Sequence, residues 1–457
     1  DDPNGNISGA AFVVFGKKDT TAVELSAIEA GTGGFVINGV SAGDRAGLRV
    51  ATTGDVNGDG VDDILVGAIR ADVDGITDAG STYVVFGKKD TTAVELSNVA
   101  AGVGGFIIRG AAADDLSGWI RPAGDVNDDG LVDMIVGSYQ ADPGGVSNAG
   151  SAHVIFGKTD TSPVELGDIN AGIGGFSIHG ISAGDQAGRY VGGGSDVNGD
   201  GLPDLVIGAP SAYNGVDRTG AAYVVYGKKT TESVELSDVE VGNGGFAIKG
   251  IGDGDYTAAV ALGGDFNGDG LGDIIVGARR NDTLGVNAGA AFVVFGSKSG
   301  GSVELATLDE SDRGFSLFGL GAGDFTGSAV NFAGDLNGDG YDDILLGARN
   351  ADPGGRIDAG TTYVVYGVGR IGILDDALEE VSTAQAKLGA IQNRLTHNIN
   401  NLSKSSMLTE QALGRVIDAD FATETSLLSK QQILNQAATA MLAQANLSKQ
   451  SVLMLLE

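Results

Sequence analysis

The sequence contains no cysteine, one tryptophan and three histidines among 457 residues. Without cysteine, neither a disulfide nor a thiolate site is available. No run of about 18 apolar residues occurs, so no helix is expected to cross a membrane, and no signal peptide opens the chain. The histidines are His153, His179 and His397. They show neither metal-ligand nor triad spacing and read as structural. No nucleophile motif or phosphate-cradling loop is present, so an enzyme is not expected. Bases are scarce as well, 28 against 60 acids for a net charge of −32. Such a balance argues against nucleic acid or an anionic membrane as partner.

Glycine is abundant instead, at 78 residues, more than double the usual ~7%. Much of it lies in a recurring acidic stretch, first seen as Asp55-Val-Asn57-Gly-Asp59-Gly60-Val-Asp-Asp63. The stretch returns 70, 71, 69 and 70 residues further on. Positions one, three, five and nine hold Asp55, Asn57, Asp59 and Asp63, then Asp125, Asn127, Asp129 and Asp133, then Asp196, Asn198, Asp200 and Asp204. They continue as Asp265, Asn267, Asp269 and Asp273, and as Asp335, Asn337, Asp339 and Asp343. Oxygens at alternating positions of a tight loop can converge on one hard cation, and Ca²⁺ takes 6–8 of them. Glycine at position six permits the sharp turn. An EF-hand would need Glu at position twelve, but Val66, Val136, Ile207, Val276 and Leu346 stand there, so each loop runs into a strand. A plain hairpin turn would not require four oxygen side chains in one register five times over. About five Ca²⁺ sites are expected, with Asp62 and Asp342 beside them as outer acceptors or water-facing residues.

One period of residues 1–367 reads as four short strands. A first strand precedes the acidic loop. The second is Asp63-Ile-Leu-Val-Gly-Ala68, the third Ser81-Thr-Tyr-Val-Val-Phe-Gly87, and a spacer with Val94-Glu-Leu96 leads to a fourth, Gly105-Phe-Ile-Ile-Arg-Gly110. Four strands repeated radially make a β-propeller. Phe-Gly or Tyr-Gly ends the third strand (Phe15-Gly16, Phe86-Gly87, Phe156-Gly157, Tyr226-Gly227, Phe295-Gly296, Tyr366-Gly367), and Gly-Ala follows the second at Gly67, Gly208, Gly277 and Gly347. With the acidic loop between, these residues resemble the FG-GAP repeats of integrin alpha-chain propellers. That resemblance implies calcium in the loops, with the backbone carbonyl of position seven (Val61, Leu131, Leu202, Leu271, Tyr341) as a further ligand. The strand inventory is a third and fourth strand in front, four whole sets, then a first, second and third. The leading third strand is surplus to a closed ring. It either packs as an extra strand or reflects more repeats upstream, which is the reading favoured. Trp119, in the first strand of the second repeat, reads as a packing variant, with a ligand platform as the alternative.

At Val368 the composition turns to Ala, Leu, Gln, Ser and Asn. Leu374, Val381, Leu388, Leu395 and Leu402 stand seven apart, joined by Ala377, Ala384 and Ile391, with Leu378 and Ile399 widening the stripe, and predict a long helix with a coiled-coil seam. A second helix, from near Asp418, is expected to bury Leu427, Leu434 and Met441. Leu388-Gly-Ala-Ile-Gln-Asn-Arg-Leu395, Ile417-Asp-Ala-Asp-Phe-Ala422 and Met441-Leu-Ala-Gln-Ala-Asn446 are similar to the C-terminal region of bacterial flagellin. The expected architecture is therefore multidomain: an all-β FG-GAP propeller of five full repeats plus a partial one (1–367), an outer-tube helix (368–411) and an inner-tube helix (412–457). The resemblance implies an extracellular, secreted flagellar filament subunit that self-associates through its helices, read here as an N-terminally truncated flagellin. The alternative is an adhesion propeller for a surface protein or glycan, displayed on a filament.

Overall fold

Valine, isoleucine and tyrosine favour a pleated, half-buried backbone, and the flanking glycines end each run. The computed structural model describes residues 2–213, 217–368, 394, 404 and 421–453. The chain divides into two compact units, Asp1–Lys387 and Leu388–Glu457.

In the first unit, four sheets each take four consecutive antiparallel strands. These are Arg49–Gly54, Asp63–Ala68, Ser81–Val85 and Gly105–Arg109; then Trp119–Gly124, Asp133–Ser138, Ser151–Ile155 and Gly175–His179. The third has Tyr190–Ser195, Asp204–Ala209, Ala221–Val225 and Gly245–Lys249, and the fourth Thr257–Leu262, Ile274–Ala278, Ala290–Val294 and Gly314–Phe318. An incomplete sheet stands at each end of this series. The leading one pairs Ala10–Val14 with Gly34–Asn38, and the last holds Thr326–Gly334, Asp343–Ala348 and Thr361–Val365. The strands follow the inventory read from the sequence, and the surplus leading strand is the edge of the first sheet.

The sheets stack face to face. Asp133–Ser138 and Ser151–Ile155 are buried at every position, as are their counterparts in the next two sheets. Val206 and Val224 of one sheet share a core with Val276 and Phe292 of the next. The approach is close enough to demand glycine: a Cβ on Gly137 would stand 1.8 Å from the carbonyl oxygen of Gly188 in the following repeat. This is the reason for glycine in the Gly-Ala and Gly137-Ser138 pairs. Gly347, in the last sheet, meets only Ala329 of its own sheet, at 3.4 Å. The outer face of that sheet is correspondingly open, with Val364 41% exposed where Val84, Val154, Val224 and Val293 are wholly buried. Among the described residues, the first and last sheets are not hydrogen-bonded to each other.

The spacer read from sequence is itself structured. Val94–Glu95, Val164–Glu165, Val234–Glu235 and Val303–Glu304 are two-residue strands, each pairing in parallel with the fourth strand of the preceding sheet. A side-chain clasp accompanies each: Asn38 with Glu95 (2.7 Å), Arg109 with Glu165 (2.7 Å), His179 with Glu235 (2.9 Å) and Lys249 with Glu304 (3.4 Å). A short helix follows in each case and plugs the core, as Leu166 and Ile169 do from Leu166–Asn170.

In the second unit, Phe421–Leu453 is a helix of 33 residues. Leu427, Leu434 and Met441 lie on it but are exposed, not buried. The expected burial fails because no element among the described residues covers them. Leu428, Ile433, Leu442 and Leu447 are exposed as well, so apolar side chains point in several directions. The seam from Leu374 to Leu402 falls outside the described residues.

Candidate metal centres

Each acidic loop connects the first and second strands of a sheet and is shaped by its own side chains. In the first loop, Asp55 Oδ1 accepts the amides of Gly58 (2.7 Å) and Asp59 (2.9 Å), and its Oδ2 accepts that of Gly60 (2.7 Å). Asn57 Oδ1 accepts the Asp59 amide (2.8 Å) and Asp59 Oδ1 accepts that of Val61 (2.9 Å), while Asn57 Nδ2 donates to Asp59 Oδ2 (3.1 Å). The same position-five-to-one, three-to-five and five-to-seven bonds recur in the loops of Asp125, Asp196, Asp265 and Asp335.

The ninth-position carboxylate behaves differently. Asp63 is fully buried, and its two oxygens accept the amides of Val56 (3.0 Å) and Gly87 (2.8 Å). Asp133, Asp204, Asp273 and Asp343 bracket position two and the Phe-Gly or Tyr-Gly glycine in the same way. That glycine is required sterically as well, since a Cβ on Gly157 would stand 2.5 Å from Leu131 Cβ in the loop. The recurring acid and the recurring glycine are thus two halves of one contact.

Charge separates the two kinds of carboxylate. Amides hold Asp55 and Asp335 below the usual carboxylate range. Burial pushes Asp63 up, and pushes Asp133, Asp204 and Asp273 up to about 7, with the acids at positions five and one adding to the effect. By type the donors suit a hard divalent cation. Among the described residues, no three acidic or histidine side chains stand together as a metal-holding set, and the loop oxygens are turned onto their own amides. Asp55 Oδ1 is filled by two amides, whereas Asp55 Oδ2, Asn57 Oδ1 and the two Asp59 oxygens accept one bond each and retain a second lone pair, so the donor chemistry fits calcium at positions one, three and five.

Other residues come together that the sequence did not connect. His153 and His179 lie on neighbouring strands, two residues apart in register, and both line a cavity of about 560 Å³. His153 is buried, its Nδ1 3.0 Å from Ser177 Oγ, and burial holds the imidazole down at about 3. A second carboxylate in the first four repeats also escaped notice. Asp44, Asp115, Asp185 and Asp255 are buried ahead of the first strand, each accepting an amide three residues back.

Asp185 has one buried oxygen without a partner. Burial pushes its carboxyl from the ordinary 3.8 up to about 6. A raised folded value means the folded state holds the proton more tightly. The contribution to stability is therefore full below about 3.8 and is lost as pH rises through about 6. The displacement corresponds to about 3 kcal/mol at most. Asp185→Asn should raise stability at pH 8 by about 1–3 kcal/mol and leave it nearly unchanged at pH 4, measured by urea unfolding at both. An equal effect at the two pH values would refute this.

With this geometry in view, the β-rich unit contains FG-GAP repeats. The FG-GAP repeat model matches residues 46–85, 187–225, 256–294 and 326–365. The second repeat's loop lies outside those matches, although its sheet keeps the register, Gly124 opposite Asp133 as Gly54 is opposite Asp63. The remainder is flagellin-like: residues 371–456 match the bacterial flagellin C-terminal helical region. Similar curated proteins include the flagellin of Bacillus subtilis (strain 168), 37% identical over 155 residues, covering 34% of this chain and 46% of that protein. The B-type flagellin of Pseudomonas aeruginosa is 49% identical over 86 residues, 19% of this chain and 18% of its own. The putative flagellin YvzB of Bacillus subtilis is 52% identical over 83 residues, 18% of this chain and 52% of its own. The chain thus spans about half or less of these relatives.

Proposed function

We propose that this chain is a structural subunit of a bacterial flagellar filament, extracellular in its assembled state, and that it displays a calcium-stabilised β-propeller on the filament surface. The observation that carries the reading is the flagellin match over 371–456 together with a helix, Phe421–Leu453, whose Leu, Ile and Met side chains are exposed. A helix apolar in several directions is stable when buried among others. Burying one Leu is worth about 1.5–3 kcal/mol, and Leu427, Leu428, Leu434 and Leu442 are all available. Packing against other subunits covers them. The sheets form the displayed body, with cations in the five loops.

The test adds the full chain to short flagellin filament seeds and labels the β-rich region with gold-tagged antibody. Label along the sides of elongated filaments is expected. A variant with Leu427, Leu434 and Met441 changed to Ser should lose incorporation while its β-sheet circular dichroism stays unchanged. Equal incorporation of that variant, or none of the parent, would count against the proposal.

A further inference from the structure

The first strands carry a cluster that the calcium reading does not use. Arg49, Trp119 and Tyr190 occupy one register position, opposite Gly67, Gly137 and Gly208. In the next two sheets the same position holds Ala259 and Ala329, opposite Gly277 and Gly347. The Arg49 guanidinium lies 3.9 Å from the centre of the Trp119 ring. Trp119 packs edge-on against Tyr139 and Tyr190, both at 5.7 Å. Arg189 stands 5.3 Å from the Tyr139 ring, and Arg279 Nη1 donates to the Tyr190 hydroxyl at 3.1 Å. Arg121 follows Trp119 by two residues on the same strand, and its charge and that of Arg189 both act on Arg49.

Three guanidiniums are thus held on a chain of aromatic rings, and a fourth, that of Arg121, acts on Arg49 from the Trp119 strand. None of them belongs to an ion pair among the described residues, in a chain with 60 acids. Arg49 donates no hydrogen bond, and the others commit only Nη1, to Ile120 O, Gln186 Oε1 and the Tyr190 hydroxyl. The Nε groups of Arg49, Arg189 and Arg279 and the Trp119 indole N–H are buried without partners. Like charges crowd together at a cost unless an anion joins them. A planar guanidinium fork matches carboxylate and sulfate oxygens in two-point contacts. Arg49 opens its strand and the acidic loop follows the other end, Gly54, so about 17 Å of strand separates the basic cluster from the loop.

We infer that Arg49, Arg121, Arg189 and Arg279, held by Trp119, Tyr139 and Tyr190, form a binding site for a sulfate- or carboxylate-bearing anion. Such an oxyanion could arrive free or on an acidic polysaccharide. The chain's net charge of −32 opposes non-specific binding of polyanions, which helps to isolate the site experimentally. The full chain is titrated calorimetrically at low ionic strength with inorganic sulfate, dextran sulfate and unsulfated dextran. Binding of dextran sulfate is expected, with sulfate alone binding comparably if the natural ligand is a free ion and far more weakly if it is a polymer. Arg49→Gln with Arg121→Gln should weaken it at least about tenfold. Arg121→Gln alone, at an exposed residue bonded only to its neighbour's carbonyl, keeps the fold and should weaken it at least about threefold. Absence of binding to either sulfated probe, equal binding of unsulfated dextran, or unchanged affinity in Arg121→Gln would overturn the inference.

Discussion

Chelating calcium should lower the thermal midpoint of the β-rich region by about 10 °C or more. Burial pushes Asp133, Asp204 and Asp273 up to about 7, and the acids at positions five and one of the same loops add to it, a like-charge cost that a bound cation would relieve. A cation that binds only the folded state adds about 2.7 kcal/mol per site at a hundredfold excess over Kd. Five such sites exceed 10 kcal/mol, and in a large domain each kcal/mol moves the midpoint by about 2 °C. The measurement is circular dichroism melting of the full chain with millimolar calcium and with excess chelator. A midpoint that does not move would remove calcium from the account of this fold.

Replacing one bracket carboxylate should be nearly as severe and needs no cation to show. Asp204→Ala leaves the buried amide of Val197 and the half-buried amide of Gly227 without acceptors. Each orphaned donor costs about 1–3 kcal/mol, and the void adds to that, so a loss of about 3–5 kcal/mol is expected even in chelator. Asp200→Ala is the control. Asp200 is exposed and bonds only within its loop, so its loss should remove one calcium site while changing stability in chelator by under about 1 kcal/mol. Denaturant titrations of both variants with and without calcium separate the roles. Equal effects in chelator would show that the fifth and ninth positions do the same work.

Much of this was legible in the sequence because its signals were local and repeated. The Val, Ile and Tyr runs are strands, and the five acidic stretches are loops between first and second strands. What escaped depended on contacts distant in sequence. Val94–Glu95 is too short for any periodicity, and its pairing with Gly34–Asn38 lies some 57 residues away. The ninth-position Asp reads as one more loop oxygen until Gly87 is found across the sheet, 24 residues on. Trp119, read as a packing variant, does pack, but its partners Arg49 and Tyr190 come from other repeats. The exposed state of Leu427, Leu434 and Met441 shows the limit of spacing as a guide: it marks an apolar position without naming the chain that covers it.

The last sheet has a colloidal consequence. Among the described residues, Thr361–Val365 is the edge strand of its sheet, paired as a strand with Asp343–Ala348. Thr361-Thr-Tyr-Val-Val365 has high strand propensity, no charge and no proline, the composition that templates strand addition between molecules. What keeps such edges apart in solution is long-range repulsion, and −32 spread over 457 residues supplies it. The Debye length is about 8 Å at physiological salt and about 3 Å at 1 M. The acid excess therefore acts as a spacer between molecules, and its reach shrinks as ionic strength rises.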